Sequence, residues 1–227
     1  MQKGEFFKRY ELKYLLTAEQ AEVIMREVTA RMEPDRHGPA TIRNLYFDTP
    51  THLLIRNSIE KPPYKEKFRI RSYETASDTT RVFAEIKKKY SSVVYKRRID
   101  LSWSDAKSFM LKGDLHDSSQ ISREITYFFK VYPTLAPAIC IFYDREAFYD
   151  RDFKVTFDKN IRYRWEELSL ELPPSGKQLL TPDTVLMEIK TPEAIPLWMT
   201  RILCENKVYK TPFSKYGEAY KKLITGE

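Results

Sequence analysis

Residues 65–71, Lys65-Glu66-Lys67-Phe68-Arg69-Ile70-Arg71, place a cation at every second position. Successive side chains in a strand point to opposite faces. The stretch therefore carries one basic face and one face that is apolar at Phe68 and Ile70. The pattern recurs along the chain. Glu85, Lys87 and Lys89 alternate around Ile86, Lys96 and Arg98 keep the same spacing, as do Tyr143 and Arg145, and Glu188 and Lys190 interleave with Met187 and Ile189. Like charges side by side on neighbouring strands repel. A sheet that gathers these cations on one face needs either bulk water or a polyanion against it.

Working outward, residues 8–15 read as a strand, and Thr17 caps a helix running to about Met32, with Ala21, Ile24, Met25 and Val28 at helical spacing. Strands follow at 41–48, 64–74, 80–89 and 92–101, with a short helix or turn over 50–57. Ser102 and Ser104 open a helix to about Leu111, and a second helix covers 118–131 with Ile121, Ile125 and Phe128 on one side. Residues 138–149 and 152–163 form a hairpin turning at Asp150-Arg151. A strand at 183–190 and helices at 193–205 and 214–224 complete the chain. Antiparallel strands interrupted by helices, without a βαβ rhythm, indicate an α+β fold.

Any one of these strands is most simply the wet side of a one-sided sheet. Two features argue for more. The charges are predominantly basic, whereas a solvated face usually mixes signs. The amphipathic helices also need an apolar partner, and the apolar strand faces supply one. That arrangement puts helices outside and charges inside a closed eight-stranded antiparallel barrel, a tunnel with a basic interior. Eight strands suffice for a lumen, and a charged interior must stay wet or hold counterions.

Composition agrees. The 227 residues are enough for one sizeable domain, taken as 1–227, and the net charge of +7 favours an anionic partner. No run is long enough to span a bilayer. The start lacks a signal-peptide core, and Cys140 and Cys204 read as buried free thiols, which fits a cytoplasmic location. His37, His52 and His116 are scattered singly, which speaks against a histidine metal site. Trp103, Trp165 and Trp198 read as core or helix anchors. The basic residues alternate within strands rather than lacing a surface groove with aromatics, which argues against nucleic acid.

Glu11, Glu85 and Glu188 each precede a Lys by two residues on one strand face. Each is either an ion-pair partner or a ligand for a hard divalent cation, which prefers oxygen and bridges carboxylates to phosphates. Cations at several heights with one or two carboxylates suit phosphoryl transfer.

In order, the chain carries Arg9-Tyr-Glu-Leu-Lys13-Tyr14, Tyr46-Phe-Asp48-Thr49, Phe68-Arg69-Ile-Arg71, Glu85-Ile-Lys87-Lys88-Lys89, Tyr143-Asp-Arg145-Glu-Ala-Phe148, Glu188-Ile-Lys190 and Phe213-Ser214-Lys215-Tyr216. Across about residues 5–222 this series resembles the VTC domain, the polyphosphate polymerase module of the triphosphate tunnel metalloenzymes. The resemblance implies transfer of the ATP γ-phosphate to a growing polyphosphate chain, with Mn²⁺ or Mg²⁺ as cofactor. It implies that Lys13 meets the reacting phosphate, and that Arg69, Arg71, Lys87 and Arg145 line the triphosphate with Lys96 as companion. Arg9, Glu11 and Lys154 join the substrate-binding set, Tyr143 hydrogen-bonds a phosphate oxygen, Glu188 holds the metal, and Ser214 and Lys215 close the site.

Two departures shape the expectation. The hydrolytic branch opens with Glu-x-Glu-x-Lys, whereas Arg9 stands first here, which resembles the polymerase branch. Lys154 stands where the resemblance leads one to expect Arg; it keeps the charge but loses the bidentate fork, so phosphate binding should survive with weaker turnover. A tunnel triphosphatase or nucleotide phosphohydrolase, and a non-catalytic polyphosphate-binding module, remain the alternatives. Coupling of synthesis to translocation would need a separate membrane partner.

Overall fold

The computed structural model describes residues 10–90, 93–113, 115 and 119–226. The chain is an α+β fold with a large antiparallel sheet and six helices. The strands are β1 (Tyr10–Thr17), β2 (Glu33–Pro34), β3 (Ala40–Asp48), β4 (Tyr64–Ser72), β5 (Arg81–Tyr90), β6 (Val93–Ser102), β7 (Ala136–Asp150), β8 (Phe153–Arg164), β9 (Lys177–Gln178) and β10 (Thr184–Thr191). The helices are α1 (Ala18–Thr29), α2 (Leu53–Glu60), α3 (Trp103–Lys112), α4 (Gln120–Val131), α5 (Leu197–Glu205) and α6 (Lys215–Thr225).

Two compact units divide the chain. The first comprises residues 1–40, 143–161 and 178–214, and the second 41–142, 162–177 and 215–227. The main strand order is β1-β10-β8-β7-β3-β4-β5-β6, with β2 on β7 and β9 on β8. The order ends at β1 and β6, and among the described residues no pairing joins them. The eight main strands expected from the sequence are present as a large antiparallel sheet; their closure into a barrel is not seen.

In the first unit, the inward apolar positions of the strands, Leu16, Val155, Phe157, Met187 and Ile189, pack with Ala21, Ile24 and Val28 of α1 and Met199, Ile202 and Leu203 of α5. Thr17 caps α1 through a reciprocal box: its hydroxyl accepts from Gln20 N, and the Gln20 side chain accepts from Thr17 N. Such a cap contributes about 1 kcal/mol. In the second unit, Phe68, Ile70, Ala84 and Ile86 pack with Trp103, Ala106 and Phe109 of α3 and Ile125 and Phe128 of α4. Full burial of each large apolar side chain contributes about 1.5–3 kcal/mol. In each unit, then, helices cover the apolar strand face and leave the charged face on the other side. This is the half of the inverted arrangement that the alternation foretold.

The second unit holds its last helix through one buried carboxylate. Asp48 Oδ1 accepts from Thr49 N and Leu54 N, while Oδ2 accepts from Ile55 N and from the Tyr216 hydroxyl at 2.9 Å. Asp48 thus satisfies two of the open N–H groups of α2 and ties α6 to it. Burial, then the Asp48 charge, push the Tyr216 hydroxyl well above its ordinary pKa.

Several boundaries differ from the sequence reading. The hairpin turns at Arg151-Asp152, one residue later than expected, with Arg151 at φ 51°. Helix α5 starts at Leu197 because Pro196 occupies its N-cap and a proline disfavours helical backbone at the residue before it. The two-residue strands β2 and β9 carry no periodicity to read. Both cysteines are free, but Cys204 is exposed and only Cys140 is buried. Trp103 is buried as expected, whereas Trp165 and Trp198 are half-buried. Among the described residues no helix is long and apolar enough to cross a membrane.

Candidate functional site

Strand register fixes which charged residues share a row. In the first unit Lys13 of β1 lies opposite Glu188 of β10, and Glu188 lies opposite Thr156 of β8. One pleat along, Glu11 lies opposite Lys190, and Lys190 opposite Lys154. Glu188 is buried and collects three cations: Lys190 at 3.5 Å, Arg145 at 3.6 Å and Lys13 at 3.7 Å. Arg145 grips the buried Asp158 with two bonds, Nε to Oδ1 at 2.6 Å and Nη2 to Oδ2 at 2.7 Å. Burial opposes the Arg145 charge, but Asp158, Tyr143 and Glu188 hold its pKa well above the ordinary arginine value. Its guanidinium also lies 5.0 Å from the centroid of the buried Tyr143 ring.

The C-terminal segment enters this unit at Lys13. Lys13 Nζ donates to the Phe213 carbonyl at 2.8 Å, and Lys13 O accepts from Thr211 N at 2.8 Å. Ser214 follows directly. Glu11 lies 3.8 Å from Lys13. Lys154 stands at the far side of the rows, bonded to the Tyr149 hydroxyl and 3.8 Å from Asp35. Tyr149 in turn donates to Asp35 at 2.7 Å. Lys154 therefore already has an acidic partner from the loop after β2. Arg9 lies outside the described residues.

The second unit builds a denser basic face. One row runs Tyr46, Arg69, Glu85, Arg98 across β3, β4, β5 and β6, and the next runs Lys67, Lys87, Lys96. These rows hold five cations and one carboxylate. Glu85 is buried and braces three of them: Arg69 at 2.7 Å, Lys96 at 2.6 Å and Arg98 at 3.8 Å. Burial opposes the Glu85 charge, yet Arg69, Arg71 and Lys96 hold its carboxyl far below the usual range. Arg69 also donates to the Tyr46 hydroxyl at 2.8 Å, and the buried Arg71 donates to Asn44 Oδ1 at 3.0 Å. Each guanidinium is thus aimed by a neutral or acidic neighbour. Lys87 is exposed, and Lys215 is buried at the start of α6. Crowding is evident at Lys65, where burial and then the charges of Lys89, Lys61 and Lys87 push the ammonium pKa down.

Lys96 carries a pH consequence. Burial, then Arg69 and Arg71, push its pKa down to about 7 against the attraction of Glu85. Its side chain is 44% exposed, so water moderates the shift. A lowered ammonium pKa means that the folded chain loses this proton first. Anion affinity should therefore fall as pH rises through the midpoint, while stability rises toward the unfolded lysine value, because the unfolded chain then binds more protons. Tripolyphosphate affinity measured calorimetrically in EDTA between about pH 7 and 9 should decline more steeply for the wild type than for Lys96→Arg, which stays charged. Equal slopes would refute the assignment.

The sequence singled out Lys13, Glu11, Lys154 and Glu188, which the structure places on neighbouring rows of the first unit, together with Arg145, which reaches Glu188, Tyr143 beside Arg145, and Ser214 on the incoming segment. Arg69, Arg71, Lys87, Lys96 and Lys215 belong to the second unit. Glu85 realises the ion-pair reading. The contributions of Tyr46, Asn44, Lys67, Arg98 and Asp158 were not read from the sequence; Lys67 and Arg98 were visible in the alternation, whereas the others depend on register between distant strands.

A metal has few places here. Among the described residues no group of three or more His, Cys, Asp or Glu side chains is gathered as a metal cage. Asp158 is committed to Arg145, and Glu85 to its three cations. Glu188 fits a hard divalent cation that takes one carboxylate and completes its shell with phosphate oxygens and water. Without such phosphates the three surrounding cations satisfy it.

Comparison with known proteins places these features. The sequence model of the VTC domain family matches residues 8–224. The chain therefore belongs to the VTC domain family. A Bacillus halodurans protein named as a candidate adenylate cyclase has a similar fold, with a TM-score of 0.57 at 13% identity, covering 92% of this chain and 94% of its own. A Vibrio parahaemolyticus protein of the same designation gives 0.50 at 11% identity, covering 97% and 99%. No curated protein matches the chain.

Proposed function

We propose that the chain is a metal-dependent polyphosphate polymerase that transfers the γ-phosphoryl group of ATP to a growing polyphosphate chain. The supporting observation is the pair of rows that gathers five cations around one buried carboxylate, Glu85, which pairs with three of them. A terminal phosphate oxygen of the polymer attacks the γ-phosphorus, the bond to the β–γ bridging oxygen breaks, and its electron pair leaves with ADP. Arg69, Arg71, Lys87 and Lys96 take the oxygens of the triphosphate. Lys13, Arg145 and Tyr143 contact the phosphoryl group in transfer, with Arg9, Glu11 and Lys154 along the substrate path and Ser214 and Lys215 at its C-terminal edge. Glu188 would hold Mn²⁺ or Mg²⁺, which would supply charge neutralisation to the phosphates. Fixed cations held by the fold act strongly because little reorganisation is needed as charge develops. The closed basic tunnel, action of residues 1–227 as one domain, and a cytoplasmic site with a separate membrane partner belong to the same reading.

The test is incubation with ATP and Mn²⁺, with products resolved on a gel stained for polyphosphate. A ladder that vanishes in Lys13→Ala is the expected result. Free phosphate without polymer would replace the polymerase by a tunnel triphosphatase or nucleotide phosphohydrolase. Neither product, with salt-sensitive polyphosphate binding retained, would leave a binding module.

A further inference from the structure

Thr156 is fully buried on β8, and its hydroxyl has no hydrogen-bond partner among the described residues. Its neighbours in sequence, Val155 and Phe157, face the apolar cluster with α1 and α5. Alternation therefore turns Thr156 to the charged face, in line with Lys154 and Asp158. Register places it directly opposite Glu188, which lies directly opposite Lys13. Every charged group of known contact on these rows is engaged: Asp158 by Arg145, Lys154 by Asp35, and Glu188 by Lys13, Arg145 and Lys190. An orphaned buried hydroxyl lowers stability, and valine would fill the same volume without that penalty.

We infer that the Thr156 hydroxyl is part of the divalent-cation subsite of Glu188, offering its oxygen to the cation or to one of the waters the cation retains. A phosphate oxygen is the less favourable neighbour at this point, because the group directly across the strand pair is a carboxylate. A hydroxyl beside that carboxylate supplies a second, neutral oxygen without adding charge, and hard cations that keep several waters use such groups. The inference rests on the proposed role of Glu188.

The experiment measures the affinity of adenylyl imidodiphosphate, which is not turned over at its β–γ bridge, by calorimetry in Mn²⁺ and in EDTA. Wild type should bind more tightly in Mn²⁺, and Glu188→Gln should lose that gain. Thr156→Val should weaken binding in Mn²⁺ by about tenfold while leaving the value in EDTA unchanged. Thr156→Ser should retain wild-type affinity in both. The metal-free Thr156→Val protein should melt at the same temperature as wild type or higher, which separates a ligand role from a packing role. Equal Mn²⁺ gains in wild type and Thr156→Val would overturn the inference while leaving Glu188 in place. A loss in EDTA as well would overturn it too, making the hydroxyl a phosphate donor. No gain from Mn²⁺ in wild type, or an undiminished gain in Glu188→Gln, would overturn the Glu188 assignment itself and this inference with it.

Discussion

Replacing Arg69 with alanine is expected to cut polymer formation by about 10²–10³-fold, the range seen when one fixed transition-state donor is lost, while the protein stays folded. Arg69 sits at the centre of its row. It is bonded to Glu85 on one side, at 2.8 Å through Nε and 2.7 Å through Nη2, and to the Tyr46 hydroxyl on the other through Nη1. Those bonds hold the guanidinium plane before any substrate arrives, so little reorganisation is needed at the moment of transfer. Loss of the side chain leaves Glu85 with Lys96 at 2.6 Å and Arg98 at 3.8 Å. The carboxylate therefore stays compensated, and the stability loss should be about 1–2 kcal/mol, or roughly 2–8 °C in melting temperature for a chain of this size. Arg69→Lys should fall between wild type and alanine, because charge is kept and the fork is lost. Polymer made by Arg69→Ala at near wild-type rate would remove this row from the chemistry.

The alternation that begins at Lys65 was enough to assign faces, because a period of two is a local property of the backbone. Thr17 and Ser102 were equally legible as caps, since the capping hydroxyl and the amide it accepts from lie three residues apart in both cases. What stayed hidden was non-local. Glu85 reads as a metal ligand or an ion-pair partner until register shows that Arg69 and Arg98 flank it on either side. Asp48 was visible in a motif, but its role depends on Tyr216, far along the chain. Thr156 is an ordinary strand threonine until Glu188 is known to face it. Closure of the barrel belongs to the same category, because no local pattern states which strands meet at the ends of an order. Lys154 shows a further limit: its basic character was plain, whereas its engagement by Asp35 comes from a loop after a two-residue strand with no sequence signature.

Arg145→Met is expected to have the largest effect on stability, a loss of about 3–5 kcal/mol, because it strips the partner from a buried carboxylate. Asp158 is 0% exposed and Arg145 only 13%. Asp158 accepts both bonds from the Arg145 guanidinium, and replacement of Arg145 removes that bidentate counterion from the interior. At roughly 2–4 °C per kcal/mol for a chain of this length, melting should drop by about 6–20 °C. Denaturant titration should show the same loss as a lower midpoint. The pair itself need not favour the fold, since two well-packed apolar residues often do as well as a buried ion pair. Combining Arg145→Met with Asp158→Leu should therefore recover most of the lost stability, giving a coupling energy that the single variants cannot show. Polymer synthesis should not recover with it. Arg145 also reaches toward Glu188 at 3.6 Å, so in the proposed reaction its positive charge is needed at the substrate and not only at Asp158. A stable double variant without activity would separate the two tasks of this arginine. A stable double variant with full activity would assign Arg145 to the fold alone and leave Lys13 and Lys190 as the cations that answer Glu188 in the first unit.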